Sequence, residues 1–333
     1  MIKSTNRFNK FQKEDILFSI IIFAFIAFTF FQEASTLSLY YIGFISNIII
    51  FSILSLSFMF LYSYTGLLSM ATSAFYMVGA YGGIFAIKYL GNNFFWGLIA
   101  SLVLTGLFAF IVGSVANLTR GVYFMLITLG FSMFPYLLSR GPLKEFTRGQ
   151  SGMHLRKLPS FIFCIDLENP YSFLIFVITI LIIVYITFRL LPSTHFGKAL
   201  VSIKENELKM KSLGYNTWRI KTIAVIINGL LAGLSGYLFL LKNLSISPVM
   251  GTYFVAAKAI FCSLIGGINI VLGPIIGTLS WYLVEEFLVI PGFLEIILGS
   301  GLVLVILFFP LGITGTLTNL GSTTGKNKGR GKV

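Results

Sequence analysis

Proton transfer, nucleophilic attack and metal binding need His, Cys, Asp, Glu or activated hydroxyls held close together. This chain of 333 residues carries 11 acidic residues, 2 histidines and 2 cysteines. His154 and His195 stand alone, and so do Cys164 and Cys262, so no CxxC pair, disulfide ladder or His/Cys cluster can be drawn. No GxSxG elbow, HExxH pair or GxxxxGK[ST] phosphate loop is present. No catalytic residue, metal site or cofactor site is therefore expected. What remains is a small set of polar side chains inside long apolar runs: Ser69, Thr72, Ser73, Thr128, Asn228, Lys258, Glu285 and Glu286. In lipid such groups are costly and turn toward protein or water. Thr72, Ser73, Thr128 and Lys258 are the candidates for a polar path across the membrane. Asn228 has a plainer role open to it as helix glue, and Lys258 as a snorkelling side chain.

The elements that must position these groups follow from composition. Hydrophobic residues make up 56% of the chain and charged residues 11%, far below the roughly 25% that a water-facing domain carries. Phe (35) outnumbers Lys and Arg together (24). Soluble and disordered classes are excluded, and an all-α polytopic membrane protein is predicted. Its apolar runs are continuous rather than alternating, which favours helices over a barrel. Ten runs stand out: 16–32, 38–62, 66–89, 94–117, 121–139, 171–191, 221–242, 252–268, 270–290 and 293–310. They predict about ten transmembrane helices in a single domain, with a membrane region over 15–310. The third, eighth and ninth runs are Gly-interrupted. The first run lacks a small-residue cleavage site after it and reads as a retained helix.

Net charge is +13. With the N-terminus in the cytoplasm, sixteen of the 24 Lys and Arg fall on the cytoplasmic side, which orients both termini inward. Most of the excess is thus an orientation signal, and no nucleic-acid partner is expected. One segment resists the rule: 140–170, on the outer side, holds Arg140, Lys144, Arg148, Arg156 and Lys157. The tail, 317–333, is a Gly/Lys stretch predicted to be disordered. The long inner segment, 192–220, contains a helix-like stretch over 197–213. Ala199, Ile203 and Leu208 form its apolar side, and Gly214 sits where a C-cap belongs.

Two apolar regions, 66–83 and 251–277, are rich in Gly and small residues and occupy corresponding places in the two halves. Such pairing predicts an inverted internal repeat with a transport path between the halves. GxxxG spacings at Gly79/Gly83, Gly229/Gly233 and Gly273/Gly277 allow close helix approach.

Five blocks carry a family resemblance: GLLSMATSAFYMVGAY at 66–81, RGVYFMLITLGF at 120–131, TRGQSGM at 147–153, FGKALVSIKENELKMKSLG at 196–214, and ISPVMGTYFVAAKAIFCSLIGGINIVLGPIIG at 246–277 with FPLGITGTL at 308–316. Together they resemble the permease subunits of branched-chain amino acid ABC importers, nearer the LivM type than the LivH type. Departures include Ala71 for a Gly of the first block, Lys209 and Met210 for small residues of the fourth, and a Lys258 context that looks LivH-like.

The resemblance implies a multi-pass protein of the bacterial inner membrane and a second permease subunit, a LivH-type paralogue. It also implies two cytoplasmic ATPase subunits that hydrolyse the ATP, and an extracytoplasmic solute-binding protein. The 192–220 segment then matches the family's coupling loop, with Gly197, Glu205, Asn206, Glu207 and Gly214 at matching positions. Urea or short-amide uptake is the nearest alternative in function, and an ion-coupled secondary transporter the alternative of a different class.

Overall fold

Backbone groups in lipid have only each other to bond, so the apolar runs become helices. The computed structural model describes residues 36–119, 121–159 and 168–287, with Gly312 and Thr314. The runs 16–32 and 293–310 and the 317–333 tail lie outside the described residues. Eleven α-helices follow in order among those described: α1 Thr36–Thr65, α2 Thr72–Tyr89, α3 Phe94–Ala116, α4 Val122–Arg140, α5 Lys144–Thr147, α6 Pro170–Leu190, α7 His195–Glu205, α8 Glu207–Ser212, α9 Thr217–Asn243, α10 Tyr253–Gly266 and α11 Gly273–Phe287. Two short strands, β1 Met153–His154 and β2 Ser245–Ile246, pair antiparallel.

α1, α3, α4, α6 and α9 belong to five helical stretches long and apolar enough to cross a membrane. The other three described runs come out differently. In 66–89 the backbone over 66–71 is non-helical and α2 begins only at Thr72. The runs 252–268 and 270–290 give the shorter helices α10, of 14 residues, and α11, of 15.

α1 is the central post. In its apolar window 89% is buried, against 22% for α4. Its Ser46, Ser52 and Ser57 hydroxyls donate back to the carbonyls of Ile42, Ile48 and Leu54, so those three hydroxyls need no donor or acceptor from another helix. α9 packs on α1, α2 and α3. α3 is built inside out: Gly97, Ser101, Thr105, Ala109 and Gly113 form its buried stripe, while Ile99, Val103, Leu107, Phe110 and Ile111 are exposed. Small residues let backbones touch, and large ones face lipid.

The Gly pairs behave accordingly. A Cβ on Gly79 would strike the Gly233 backbone, and one on Gly236 the Tyr76 carbonyl. Gly277 lies against the Cys262 carbonyl, which closes the α10–α11 hairpin. Helix starts are fixed by side-chain caps, as at Asn93, whose Oδ1 accepts from Phe95 N (2.9 Å), and Asn169, whose Oδ1 accepts from Tyr171 N (3.1 Å).

Candidate functional site

The non-helical stretch 66–71 leaves backbone donors without helical partners, and hydroxyls supply them. Thr65 Oγ1 accepts from Leu67 N (3.2 Å), Ser69 Oγ from Ala71 N (3.2 Å), and Thr128 Oγ1, on α4, from Met70 N (3.1 Å). At the second residue of α2, Ser73 donates to the Gly251 carbonyl (3.3 Å). Gly251 ends the short 3-10 turn Pro248–Gly251, which enters between α2 and α4 and leads into α10. The two Gly-rich regions named from the sequence therefore meet at Ser73 and Gly251. Thr72, Ser73 and Thr128 all belong to this junction. Thr72 Oγ1 is buried there without a hydrogen-bond partner.

Lys258 is elsewhere. Its Nζ lies 2.6 Å from Glu285 Oε2 and 4.2 Å from the Tyr282 ring centroid, with Phe51 and Trp281 also around it. All these partners come from α1 and α11, and none is Thr72, Ser73 or Thr128. The ammonium is satisfied by a carboxylate and aromatic faces, not by snorkelling alone.

The 192–220 segment forms two helices where one was expected over 197–213. Asn206 adopts an extended conformation (φ −156°) and breaks the run, because its side chain caps α8 by accepting from Lys209 N (2.9 Å). The break rotates the apolar face. Leu200, Ile203 and Met210 are buried, while Leu208 is 65% exposed, so the expectation that Leu208 lies on the apolar side is corrected. Gly214 does end the segment, in a left-handed conformation (φ +86°). Its N–H donates to the Lys211 carbonyl and that of Tyr215 to Met210, a Schellman closure. Gly197 is buried where a Cβ would strike the Leu191 carbonyl. Glu205 is exposed.

Glu207 is a strut. Its Oε1 accepts from Thr217 Oγ1 (3.1 Å) and faces Lys211 Nζ (3.2 Å), while its Oε2 faces Lys221 Nζ (3.3 Å). Thr217 and Lys221 belong to the first turns of α9, where an anion suits the helix dipole. At the other side of the loop, Lys204 Nζ donates to the Ser63 carbonyl (2.8 Å) in the last turn of α1, where a cation suits the dipole. Thus a two-helix loop is clamped to the end of α1 and the start of α9. The pairings of Lys204, Thr217 and Lys221 could not be read from the sequence, because each spans 10 or more residues.

A second unforeseen feature runs along α9. Lys221, Asn228, Ser235 and Lys242 recur at heptad spacing on one face. Ser235 donates to the Ile50 carbonyl (2.7 Å), and Lys242 lies beside Gly43. This antiparallel register brings Asn228 to the level of Ser57. Asn228 is fully buried, and both its amide atoms lack partners. The spacing was legible in the sequence; its meaning needed α1 as the opposing helix.

Spanning helices around a buried hydroxyl junction, with a polar loop clamped at one end of the bundle, define a multi-pass membrane protein of the permease class. Residues 40–311 match the family described as branched-chain amino acid transport system, permease component, and the chain belongs to that family. It is similar to the high-affinity branched-chain amino acid transport system permease protein LivM of Escherichia coli (strain K12), at 24% identity over 79% of this chain and 67% of the relative. It is also similar to the permease protein BraD of Pseudomonas aeruginosa, at 25% identity over 80% of this chain and 91% of the relative. No solved structure gives a significant match.

Proposed function

We propose that this chain forms half of the membrane path of an ATP-driven importer for branched-chain or related small amino acids. In this reading both termini are cytoplasmic, and the loop of α7 and α8 faces the cytoplasm. There it meets one of two ATPase subunits, which supply the nucleotide sites this sequence lacks. A LivH-type paralogue completes the path, and a solute-binding protein delivers cargo to the β1–β2 end. Ten spans, 16–32 and 293–310 included, and an inverted repeat between the Gly-rich regions complete the architecture.

The observation that carries this reading is the double clamp of the loop. Displacing α7 and α8 pulls on α1 through Lys204 and on α9 through Glu207. α9 is locked to α2 at Gly79 and Gly236, where the backbones touch. Thr65, where α1 ends, opens the non-helical stretch that carries Met70 to Thr128. Rigid packing therefore links the loop to Thr72, Ser73 and Thr128, which we assign to the solute path; Lys258, a path candidate by charge, lies on the α1–α11 side of it. The exposed Leu208, Leu213 and Tyr215 of the loop give an ATPase subunit an apolar face to seat, with Glu205 beside them.

The test is uptake into proteoliposomes holding this chain with its paralogue, ATPase subunits and binding protein. Radiolabelled leucine should enter only with ATP inside the ATPase compartment. Uptake driven by an ion gradient without ATP would replace the reading with a secondary transporter. ATP-dependent uptake of urea but not leucine would replace the solute.

A further inference from the structure

The cations of 140–170 are at odds with the distribution of basic residues elsewhere, and the junction and loop described above do not use them. The structure gathers three of them, Arg148, Arg156 and Lys157, around a cavity of about 860 Å³, and adds Lys88 from the last turn of α2. Glu145 is the one carboxylate in the lining among the described residues. Lys88 and Arg148 are close enough for their charges to oppose each other. Holding these four cations with one carboxylate among the described lining residues costs energy that an anion placed among them would return.

The depth of the cavity identifies the anion. Lys88 and Tyr89 end a helix that runs through the bundle, so the cavity opens at the level where apolar chain gives way to headgroup. Tyr89 is 72% exposed and stacks on Phe85 one turn deeper, and Phe146 in the lining is 63% exposed. Exposed aromatic rings beside cations are the signature of a membrane–water boundary. An acidic protein surface would be matched by the cations alone, whereas a phospholipid uses both the cations and the apolar rim.

We propose that this cavity binds the phosphate headgroup of an anionic phospholipid, with Arg148, Arg156, Lys157 and Lys88 around the phosphate and Tyr89 and Phe146 against the glycerol and upper acyl chains. The site stands on the membrane reading alone and needs no transport activity.

The experiment is native mass spectrometry of the purified full chain in micelles doped with phosphatidylglycerol or phosphatidylcholine of identical acyl chains. The wild type should retain phosphatidylglycerol preferentially, and the preference should fall as salt rises. Each neutralised cation should lower it about fivefold, so the triple variant R148Q/R156Q/K157Q should lose on the order of a hundredfold. Lys144→Gln, outside the lining, should leave it unchanged. Should the triple variant fail to fold, Lys157→Gln alone and the salt dependence of the wild type carry the test. Equal retention of the two lipids overturns the proposal, as does an unchanged triple variant. Binding of glycerol 3-phosphate as tight as that of the lipid reassigns the cavity to a soluble anion. Equal lipid retention with weakened solute-binding-protein affinity in the triple variant reassigns it to protein docking.

Discussion

Glu207 offers the sharpest test of the clamp, because its two lysines sit in unlike surroundings. The Lys221 side chain is 4% exposed and that of Lys211 48%, with Glu207 itself at 17%. An exposed i,i+4 pair contributes about 0.3–0.5 kcal/mol. Removing one partner of a buried pair costs about 3–5 kcal/mol, because a charge stays behind in a poor solvent. Partial exposure of Glu207 places this case near the lower figure. Glu207→Gln should therefore cost about 2–3 kcal/mol, whereas Lys211→Met should cost less than about 0.5 kcal/mol. The double variant Glu207→Leu/Lys221→Leu removes both charges and should recover most of the stability. It would not recover coupling, since the loop would no longer be tied to α9. Denaturant unfolding in detergent measures the first set of values. The ratio of ATP hydrolysed to solute imported, in the reconstituted complex, measures the second. Equal costs for Lys211→Met and Glu207→Gln, or a normal ratio in the double variant, would refute the strut.

The other expectations are narrower. Gly236→Ala drives a Cβ into the Tyr76 carbonyl and should cost about 1–3 kcal/mol, read as lost thermal stability; wild-type stability would show that α2 and α9 can separate. Gly214→Ala forces a β-carbon into the left-handed cap and should cost about 1 kcal/mol, while Gly214→Asn should cost less, both seen by unfolding. Asn228→Leu removes a buried amide whose atoms lack partners, so unfolding should show stability unchanged or raised by about 1 kcal/mol. Solute uptake by the same variant should fall if the amide finds its partners during transport, and Asn228→Gln should restore part of it. Lys258→Met, away from the hydroxyl junction, should leave the KM for solute unchanged, and a raised KM would move the path toward α11.

Much of this was legible in residue types, and the gaps have physical causes. The runs 38–62, 94–117, 121–139, 171–191 and 221–242 were read within a few residues, because apolar length is a property of single segments. The departures at 66–71 and at Asn206 share a cause. Both are places where Ser, Thr or Asn side chains bond the backbone locally and compete with the helix. The orientation of faces was hardest to read. In α3 most of the buried residues are small, Phe94 and Val112 apart, and the exposed residues include the large ones, the reverse of the rule for soluble helices. The hydroxyl junction was half visible: Thr72, Ser73 and Thr128 stood out as polar groups in apolar runs. The backbone donors that Thr128 and Ser69 satisfy exist only because the helix starts late.

Polar groups in this chain sort by what they cost where they lie. At the loop, Lys204 and Glu207 meet helix ends whose dipoles favour their charges, so the clamp is strong without burying an isolated ion. Along α1, Ser46, Ser52 and Ser57 close on their own helix, whereas Asn47 Oδ1 is buried without a hydrogen-bond partner. Among the described residues unmet demand falls at Asn47, Thr72, Tyr81, Asn117, Asn228 and Trp281, and of these Asn228 alone leaves two side-chain atoms without partners. Leaving a polar atom so costs about 1–3 kcal/mol, so Thr72 and Asn228 raise the energy of this arrangement relative to one in which water or a solute reaches them. A bundle clamped firmly at its loop, and holding unpaired polar atoms such as those of Thr72 and Asn228, is stabilised by any movement of the loop that brings water or a solute to them.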